Sequence, residues 1–124
     1  MKYMMLIFET PQNLESRKDA ERDPYIAAWK AYDKALRASG AYGGGAPLKD
    51  VATATTVRLR EGRRHVQDGP FAEAKEELGG FIILDVPSVD AALEWAARCP
   101  AAASGAIEVR PIDVEFHRAH FPES

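Results

Sequence analysis

The sequence predicts an α+β protein with a ferredoxin-like βαββαβ order of elements and a β-hairpin inserted between the second and third strands. Three observations lead to this prediction. Two short runs, residues 3–8 and 81–86, carry apolar residues on both alternating faces, as in strands that are covered on both sides. An amphipathic helical pattern follows each run, and a two-residue turn signal, Glu61-Gly62, separates two further strand-like segments.

The first half of the chain begins with the strand at residues 3–8. Residues 10–22 are polar and indicate a loop or a frayed helical turn. Asp23 and Pro24 are typical of a helix start, because Asp caps free backbone N–H groups and Pro fits the first helical position. Gly40 is expected to end this helix in the left-handed conformation. Between these limits, apolar residues recur at helical spacing: Tyr25, Trp29, Tyr32 and Leu36.

The middle of the chain is rich in glycine and turn signals. Residues 41–48 contain three consecutive glycines and form either a flexible linker or a strand pressed close to a ligand or a partner backbone. Residues 55–60 and 63–67 flank the Glu61-Gly62 turn and are predicted to form a hairpin.

The hairpin leads into a turn at residues 68–70, Asp-Gly-Pro. Pro70 is expected to open a short helical turn through residues 72–76, which the glycines at 79 and 80 end. Residues 81–86 then form the third strand of the main sheet, since they are rich in β-branched and aromatic residues.

The second helix is predicted to start at Ser88, which has the character of an N-cap, and to stop before Pro100. The expected buried stripe of this helix consists of Val89, Leu93 and Ala96, with Ala92 beside it. Residues 107–112 are predicted to form the last strand.

Length and composition favour one domain over residues 1–113, followed by a C-terminal tail over residues 114–124. The net charge of −3 argues against a nucleic-acid partner. The single cysteine, Cys99, favours a reducing cytoplasm, and no apolar run is long enough for a membrane span. No cofactor is predicted, because the glycines form no phosphate-binding motif.

A homodimer is predicted from the strands themselves. Two helices can cover only one face of the sheet, whereas residues 3–8 and 81–86 are apolar on both. A second copy of the chain is the simplest cover for the remaining face.

Four charged residues near the Asp-Gly-Pro turn form the first candidate site: Asp68, Glu73, Lys75 and Glu76. A lysine near carboxylates can orient a polar ligand, and a partly buried carboxylate can act as a base. In this interpretation Asp68 or Glu76 takes a proton, while Lys75 or Arg110 stabilises the developing anion and Glu73 contacts the substrate. Alternatively, Asp68 caps a turn and the others form surface ion pairs that contribute little.

Glu108 and Arg110 form a second candidate set, because they alternate on one face of the last strand. They either line the cleft of a dimeric barrel as substrate-binding residues or pair with each other at an exposed edge. Tyr42 or Trp29 is a candidate for one wall of a pocket.

A metal site is not predicted. Glu115, His117 and His120 have a plausible spacing on a helix, but a solvated or interface tail is the favoured interpretation. His65 is expected to face water in the hairpin, and Cys99 is expected to be a small core residue.

The residues from 68 onward carry a resemblance to a known family. The runs Asp-Gly-Pro-Phe-Ala-Glu (68–73), Lys-Glu (75–76) and Leu-Gly-Gly-Phe (78–81) resemble the DGPF branch of the YCII-related family, and residues 91–100 and 108–111 are similar to it too. The resemblance implies a dimeric ferredoxin-like α+β barrel. Most of the family has no assigned activity; some relatives are lyase-type enzymes, including a dehydrochlorinase, and some domains occur alongside alternative sigma factors. We call residues 68–76 the DGPF segment.

The resemblance also bears on catalysis. Enzymatically characterised relatives use a histidine early in the first helix, paired with a carboxylate. No histidine lies between Asp23 and Gly40, where Tyr25 and Trp29 stand. The resemblance therefore does not predict this histidine–carboxylate pair in the present chain.

The sequence therefore predicts a protein that binds a small polar molecule in a cleft of a homodimer, between the sheet and the DGPF segment. One alternative is a cofactor-free lyase or isomerase that uses carboxylate acid–base chemistry. The other is a regulatory protein–protein adaptor linked to transcription.

Overall fold

Among residues 1–121, which the computed structural model describes, the chain forms six strands and four α-helices. The strands are β1 (Lys2–Glu9), β2 (Tyr42–Pro47), β3 (Thr55–Arg60), β4 (Arg63–Asp68), β5 (Glu77–Asp85) and β6 (Ala106–Pro111). The helices are α1 (Pro11–Glu15), α2 (Pro24–Ser39), α3 (Val89–Arg98) and α4 (Val114–His120). Three short 3-10 turns lie at Ser16–Asp19, Val51–Thr53 and Pro100–Ala102.

Four strands form one antiparallel sheet in the order β2-β5-β1-β6, which is the ferredoxin-like arrangement. β3 and β4 form a separate hairpin whose turn residues, Glu61 and Gly62, have φ of 53° and 75°. The predicted fold class, an α+β ferredoxin-like unit with an inserted hairpin, is confirmed. No helix within the described range is long and apolar enough to cross a membrane.

Helix α2 begins and ends where the sequence predicts. The Asp23 carboxylate accepts a hydrogen bond from the backbone N–H of Tyr25 at 2.8 Å, and Gly40 follows the last residue with φ of 83°. Tyr32 and Leu36 of the predicted stripe are buried. Local capping and periodicity therefore explain this helix.

Helix α3 begins after Ser88 as predicted, but its buried face differs. Ala92 and Ala96 are buried, whereas Val89 and Leu93 are 47% and 49% exposed. The prediction that Val89 and Leu93 belong to the buried stripe is therefore wrong. The small alanines face the sheet and let the helix approach it closely, whereas Val89 and Leu93 lie on the outer side.

The hydrophobic core lies between the sheet and the two longer helices. Cys99 is 2% exposed and belongs to this core, as predicted. Burying one large aliphatic side chain contributes about 1.5–3 kcal/mol, so this layer supplies most of the stability. Its main members come from β1, α2, β5 and α3: Tyr3, Met5, Ile7, Tyr32, Leu36, Ile82, Leu84, Ala92 and Ala96.

The opposite face of the sheet is apolar but only partly covered. Met4, Leu6 and Phe8 point there from β1, and the strand register sets Met4 opposite Ile83 and Leu6 opposite Phe81. All five residues are partly exposed, because α2 and α3 pack on the other face. We call this set the open face of the sheet.

The segment before β5 differs from the prediction. Residues 69–76 contain no helix, and β5 starts at Glu77 and includes Gly79 and Gly80. The predicted helical turn and its glycine stop are therefore wrong. These glycines permit close approach instead: a Cβ on Gly80 would lie 2.9 Å from a carbonyl oxygen of β2. Likewise, a Cβ on Gly45 would lie 2.5 Å from a carbonyl oxygen of β5, so the glycine-rich segment is a strand pressed against β5.

Candidate functional site

A cavity of about 510 Å³ lies between α2, β2 and the residues that follow β1. Pockets for small molecules commonly have volumes of about 300–1,000 Å³, so this cavity is large enough for such a ligand. We call it the Glu9 cavity. Its lining is mostly apolar with a few polar groups, and comprises Ile7, Glu9, Asn13, Arg17, Tyr25, Ile26, Trp29, Lys30, Asp33, Arg37, Tyr42, Gly45, Ala46, Pro47, Gly79, Gly80, Phe81 and Ile82.

Glu9, the last residue of β1, is 3% exposed. Alternation along the strand explains its position, because Glu9 follows Met5 and Ile7 on the face that the helices cover. A carboxylate removed from water costs several kcal/mol unless it is paired and hydrogen-bonded. The hydrogen-bond and ion-pair partners of Glu9 therefore determine whether its carboxylate can remain buried without a large free-energy cost.

Two side chains satisfy the Glu9 carboxylate. The hydroxyl of Tyr25, in the first turn of α2, donates a hydrogen bond to Oε1, and Nη2 of Arg17 lies 3.3 Å from Oε2. Arg17 also donates to the backbone carbonyls of Leu48 at 2.5 Å and Gly79 at 3.0 Å. Arg17 thus neutralises the carboxylate and ties the segment after β1 to two other parts of the chain.

The protonation state of Tyr25 follows from its surroundings. Burial raises the pKa of the hydroxyl well above its usual range, and the hydrogen bond to Glu9 raises it further. Tyr25 is therefore a protonated hydrogen-bond donor at neutral pH. Glu9 is the hydrogen-bond acceptor of this pair.

A bulge shapes the backbone beside Glu9. The pairing of β1 with β5 skips Gly79, which lies between the paired residues Leu78 and Gly80. A Cβ on Gly79 would lie only 2.7 Å from Oε2 of Glu9. The absence of a side chain at this position therefore makes room for the carboxylate.

Charged residues of α2 lie on the exposed side of the cavity. Nε of Arg37 lies 3.0 Å from Oδ2 of Asp33, and the guanidinium stacks over the ring of Tyr42, 4.1 Å from its centre. Tyr42 and Trp29, the two residues considered for a pocket wall, both line this cavity.

The other predicted residues lie elsewhere. A second cavity of about 760 Å³, here called the DGPF groove, lies beside the DGPF segment, and Glu73 and Glu76 line it. Asp68 is the exposed last residue of β4, and Lys75 is exposed; neither lines the groove. The structure thus brings two of the four residues to one cavity and leaves the other two outside it.

Glu108 and Arg110 form an ion pair with each other on the edge strand β6. The register sets Glu108 opposite Leu6 and Arg110 opposite Met4, so both lie at the border of the open face. Their side chains are 43% and 72% exposed. They contact neither the Glu9 cavity nor the DGPF groove.

The C-terminal histidines, His117 and His120, both lie on α4. The His120 ring packs 4.7 Å from the centre of Phe116, and the His117 ring packs 6.0 Å from that of Phe121. Within residues 1–121, no group of three His, Cys, Asp or Glu side chains is arranged to hold a metal ion.

Sequence reasoning missed Glu9 and Arg17 as site residues. A signal for Glu9 exists, because it continues the inward phase of an otherwise apolar strand. Arg17 gives no such signal, since it lies in a 3-10 turn of a polar segment. The sequence pattern indicates Tyr25 only as part of the helical stripe.

The chain belongs to the YCII-related domain family, whose profile matches residues 1–116. It is 32% identical over 114 residues to an uncharacterized protein of Rhizobium meliloti (strain 1021), with 90% of this chain and 92% of that protein covered. Among solved structures, it is similar to 5-chloro-2-hydroxyhydroquinone dehydrochlorinase from Burkholderia phenoliruptrix AC1100 in complex with 2,5-dihydroxybenzoquinone. The TM-score is 0.51 with 22% identity, covering 91% of this chain and 94% of that one. At this identity the likeness establishes the fold.

Proposed function

We propose that this protein binds a small molecule in the Glu9 cavity, and that the molecule has a flat apolar body and a hydrogen-bond donor that reaches Glu9. The observation that carries this proposal is a carboxylate 3% exposed in the wall of a cavity of about 510 Å³. A carboxylate has about four acceptor positions, and the bonds from Tyr25 and Arg17 use two. A ligand hydroxyl can occupy another.

The cavity walls support the apolar part of this description. Ile26 and Trp29 face the cavity from α2, and Ile82 and Pro47 face it from the sheet. Aromatic and aliphatic walls favour a ring as the body of the ligand, and the polar groups at Glu9 and on the exposed side of the cavity favour polar substituents on it. A hydroxylated aromatic ring fits this pattern, and the dehydrochlorinase of similar fold is in complex with a dihydroxylated quinone.

A cofactor-free lyase or isomerase is the second candidate function. The Tyr25–Glu9 hydrogen bond favours it, because a buried carboxylate can take a proton while a neighbouring phenol donates to a developing oxyanion. This version uses Glu9 as the base. The hypothesis built on Asp68, Glu76 and Lys75 stays a separate prediction, for a ligand at the DGPF groove.

The proposal includes a homodimer formed through the open face of the sheet. Met4, Leu6, Phe8, Phe81 and Ile83 would pack against the same residues of a second copy, as an isologous contact requires. Burial of this face gives the association its driving force. Glu108 and Arg110 would lie at the border of that interface.

The proposal is tested by thermal shift with hydroxylated aromatic probes: 2,5-dihydroxybenzoquinone, hydroquinone and catechol. A binding probe should raise the Tm of the wild type and of Glu21→Gln, a matched change at an exposed carboxylate, but not that of Glu9→Gln. Each shift is taken relative to the same variant without probe, so lower stability of Glu9→Gln does not affect the comparison. Equal shifts in the three proteins would place the ligand elsewhere and refute the proposed site.

A further inference from the structure

The β3–β4 hairpin stands apart from the rest of the protein. Every residue of β4 is exposed, and in β3 all but Thr56 are exposed. A two-stranded hairpin is at best marginally stable alone in water, and three or more strands or a packing partner are needed. A hairpin this exposed should gain stability from a further packing surface.

The two faces of the hairpin differ in chemistry. One face is aliphatic: Val57 lies opposite Val66, and Leu59 lies opposite Arg64. These three apolar side chains are 57%, 56% and 67% exposed. Exposed aliphatic residues in one contiguous set mark an interaction surface more often than isolated ones do.

The other face is basic and is directed toward the hairpin's own DGPF segment. It carries Arg58 opposite His65 and Arg60 opposite Arg63. The guanidinium of Arg58 lies 4.7 Å from the ring centre of Phe71. Because this basic face contacts the DGPF segment, the aliphatic face points away from the groove of the same chain.

The DGPF groove has the complementary composition. Leu48, Phe71 and Leu78 line it and are 37%, 75% and 38% exposed. Phe8 also lines it, so the groove adjoins the open face of the sheet. The charged side chains that line the groove are Lys49 and four carboxylates: Asp50, Glu73, Glu76 and Glu77.

We propose that the hairpin is an exchanged arm: in the homodimer, its aliphatic face packs into the DGPF groove of the second copy. Arg64, the cation on that face, then meets the carboxylates of that groove. This inference rests on the proposed homodimer. A two-fold axis repeats the contact, and six-residue strands reach about 20 Å at about 3.4 Å per residue.

Charge reversal with rescue tests the arm. We expect Arg64→Glu to weaken dimerisation about ten-fold or more in sedimentation velocity, and Glu73→Arg/Glu76→Arg to do the same. The protein with all three changes should recover to within about three-fold of the wild type. Arg22→Glu, a matched reversal at an exposed residue outside both surfaces, should leave the dimer unchanged. Circular dichroism verifies that each variant is folded.

The outcomes separate the arm from the dimer. A wild-type monomer at high protein concentration overturns both the homodimer and the arm. A dimer that none of the reversals weakens overturns the arm alone and keeps the sheet-face interface. Loss of the dimer without rescue in the triple variant overturns the pairing of arm and groove, because the arm then contacts another surface.

A disulfide experiment gives an independent readout. Leu59→Cys protein is mixed with Phe71→Cys protein and oxidised. Exchanged arms bring the two new thiols together across the dimer, so a cross-linked species containing one chain of each kind should appear. A mixture that yields only the uncross-linked chains overturns the proposal.

Discussion

The Tyr25 hydroxyl donates a hydrogen bond to the carboxylate of Glu9, and this contact joins the first turn of α2 to the end of β1. Characterised enzymes that the sequence resembles pair a carboxylate with a histidine early in this helix. Tyr25 stands in that region here, and its raised pKa makes it a donor and not a base. Of these two groups, only the Glu9 carboxylate could serve as a base.

Removing the hydroxyl should destabilise the protein. In Tyr25→Phe one oxygen of a buried carboxylate loses its described partner, which should lower the free energy of unfolding by about 1–3 kcal/mol. Urea denaturation measures the difference. Tyr3→Phe is the control, because the described contact of its hydroxyl is a weak one to the Met1 sulfur at 3.8 Å. Equal stability of Tyr25→Phe and the control would contradict the assigned role of the hydrogen bond.

A methyl group at Gly79 should also be costly. The new Cβ would lie 2.7 Å from Oε2 of Glu9, so Gly79→Ala should cost about 1–3 kcal/mol as an overpacked site. In a Glu9→Ala background the opposing carboxylate is gone, and the same change should cost at least about 1 kcal/mol less. This double-mutant cycle, measured by denaturation, isolates the contact. An identical cost in both backgrounds would show that the strain arises elsewhere.

Stability should fall at alkaline pH through Tyr25. Burial, and then the Glu9 hydrogen bond, raise the pKa of Tyr25 in the folded state above its unfolded value of about 10. The corresponding stabilisation is fully present below pH of about 10. It is lost as the pH rises further, because the unfolded chain ionises first.

Denaturation curves between pH 8 and 11 (roughly one unit or more on each side of the unfolded pKa) measure this loss. The stability of Tyr25→Phe should fall less steeply than that of the wild type over the upper half of this range. Parallel slopes in the two proteins would mean that Tyr25 ionises at the same pH folded and unfolded.

A charge placed on the open face should weaken the proposed homodimer. Leu6 is only partly exposed in the protomer and lies at the centre of that face, so Leu6→Lys should weaken self-association by several kcal/mol. Val89→Lys on the outer side of α3, 47% exposed, is the control. Light scattering coupled to size-exclusion chromatography compares the two. If Leu6→Lys dimerises as strongly as the wild type, the interface must lie on another surface.

The two candidate ligand sites can be separated by substitution. For a probe bound in the Glu9 cavity, Glu76→Gln and Lys75→Met should leave the thermal shift within about 1 °C of wild type, whereas Glu9→Gln should abolish it. The reverse pattern would support the site predicted around the DGPF segment. Calorimetric titration of the same variants supplies the binding constants.

Much of the fold follows from local rules. The capping of α2 by Asp23, its end at Gly40 and the hairpin turn at residues 61–62 each depend on residues close in sequence. Two predictions fail, the buried stripe of α3 and the helical turn before β5, and both depend on tertiary packing. Gly79 and Gly80 are typical of a helix stop, but in the structure they permit close contacts with β1 and β2, which no local pattern indicates.

The candidate site could be predicted only in part, for a related reason. Glu9 meets residues 8 and 16 positions further along the chain, and their proximity exists only after α2 has packed on the sheet. Arg17 comes from a segment without periodicity. The charged DGPF segment is conspicuous in the sequence, yet its Asp68 and Lys75 lie outside both cavities.

The pairing of Glu9 with Arg17 leaves the inner end of the cavity without net charge. Ions in solution screen exposed charges over about 8–10 Å but act weakly on a pair that is largely shielded from water. An uncharged guest should therefore be taken up with nearly the same affinity in dilute buffer and at high ionic strength. The proposed association of two copies through Arg64 and surface carboxylates should weaken as the ionic strength rises, so a simple titration with sodium chloride can tell the two events apart.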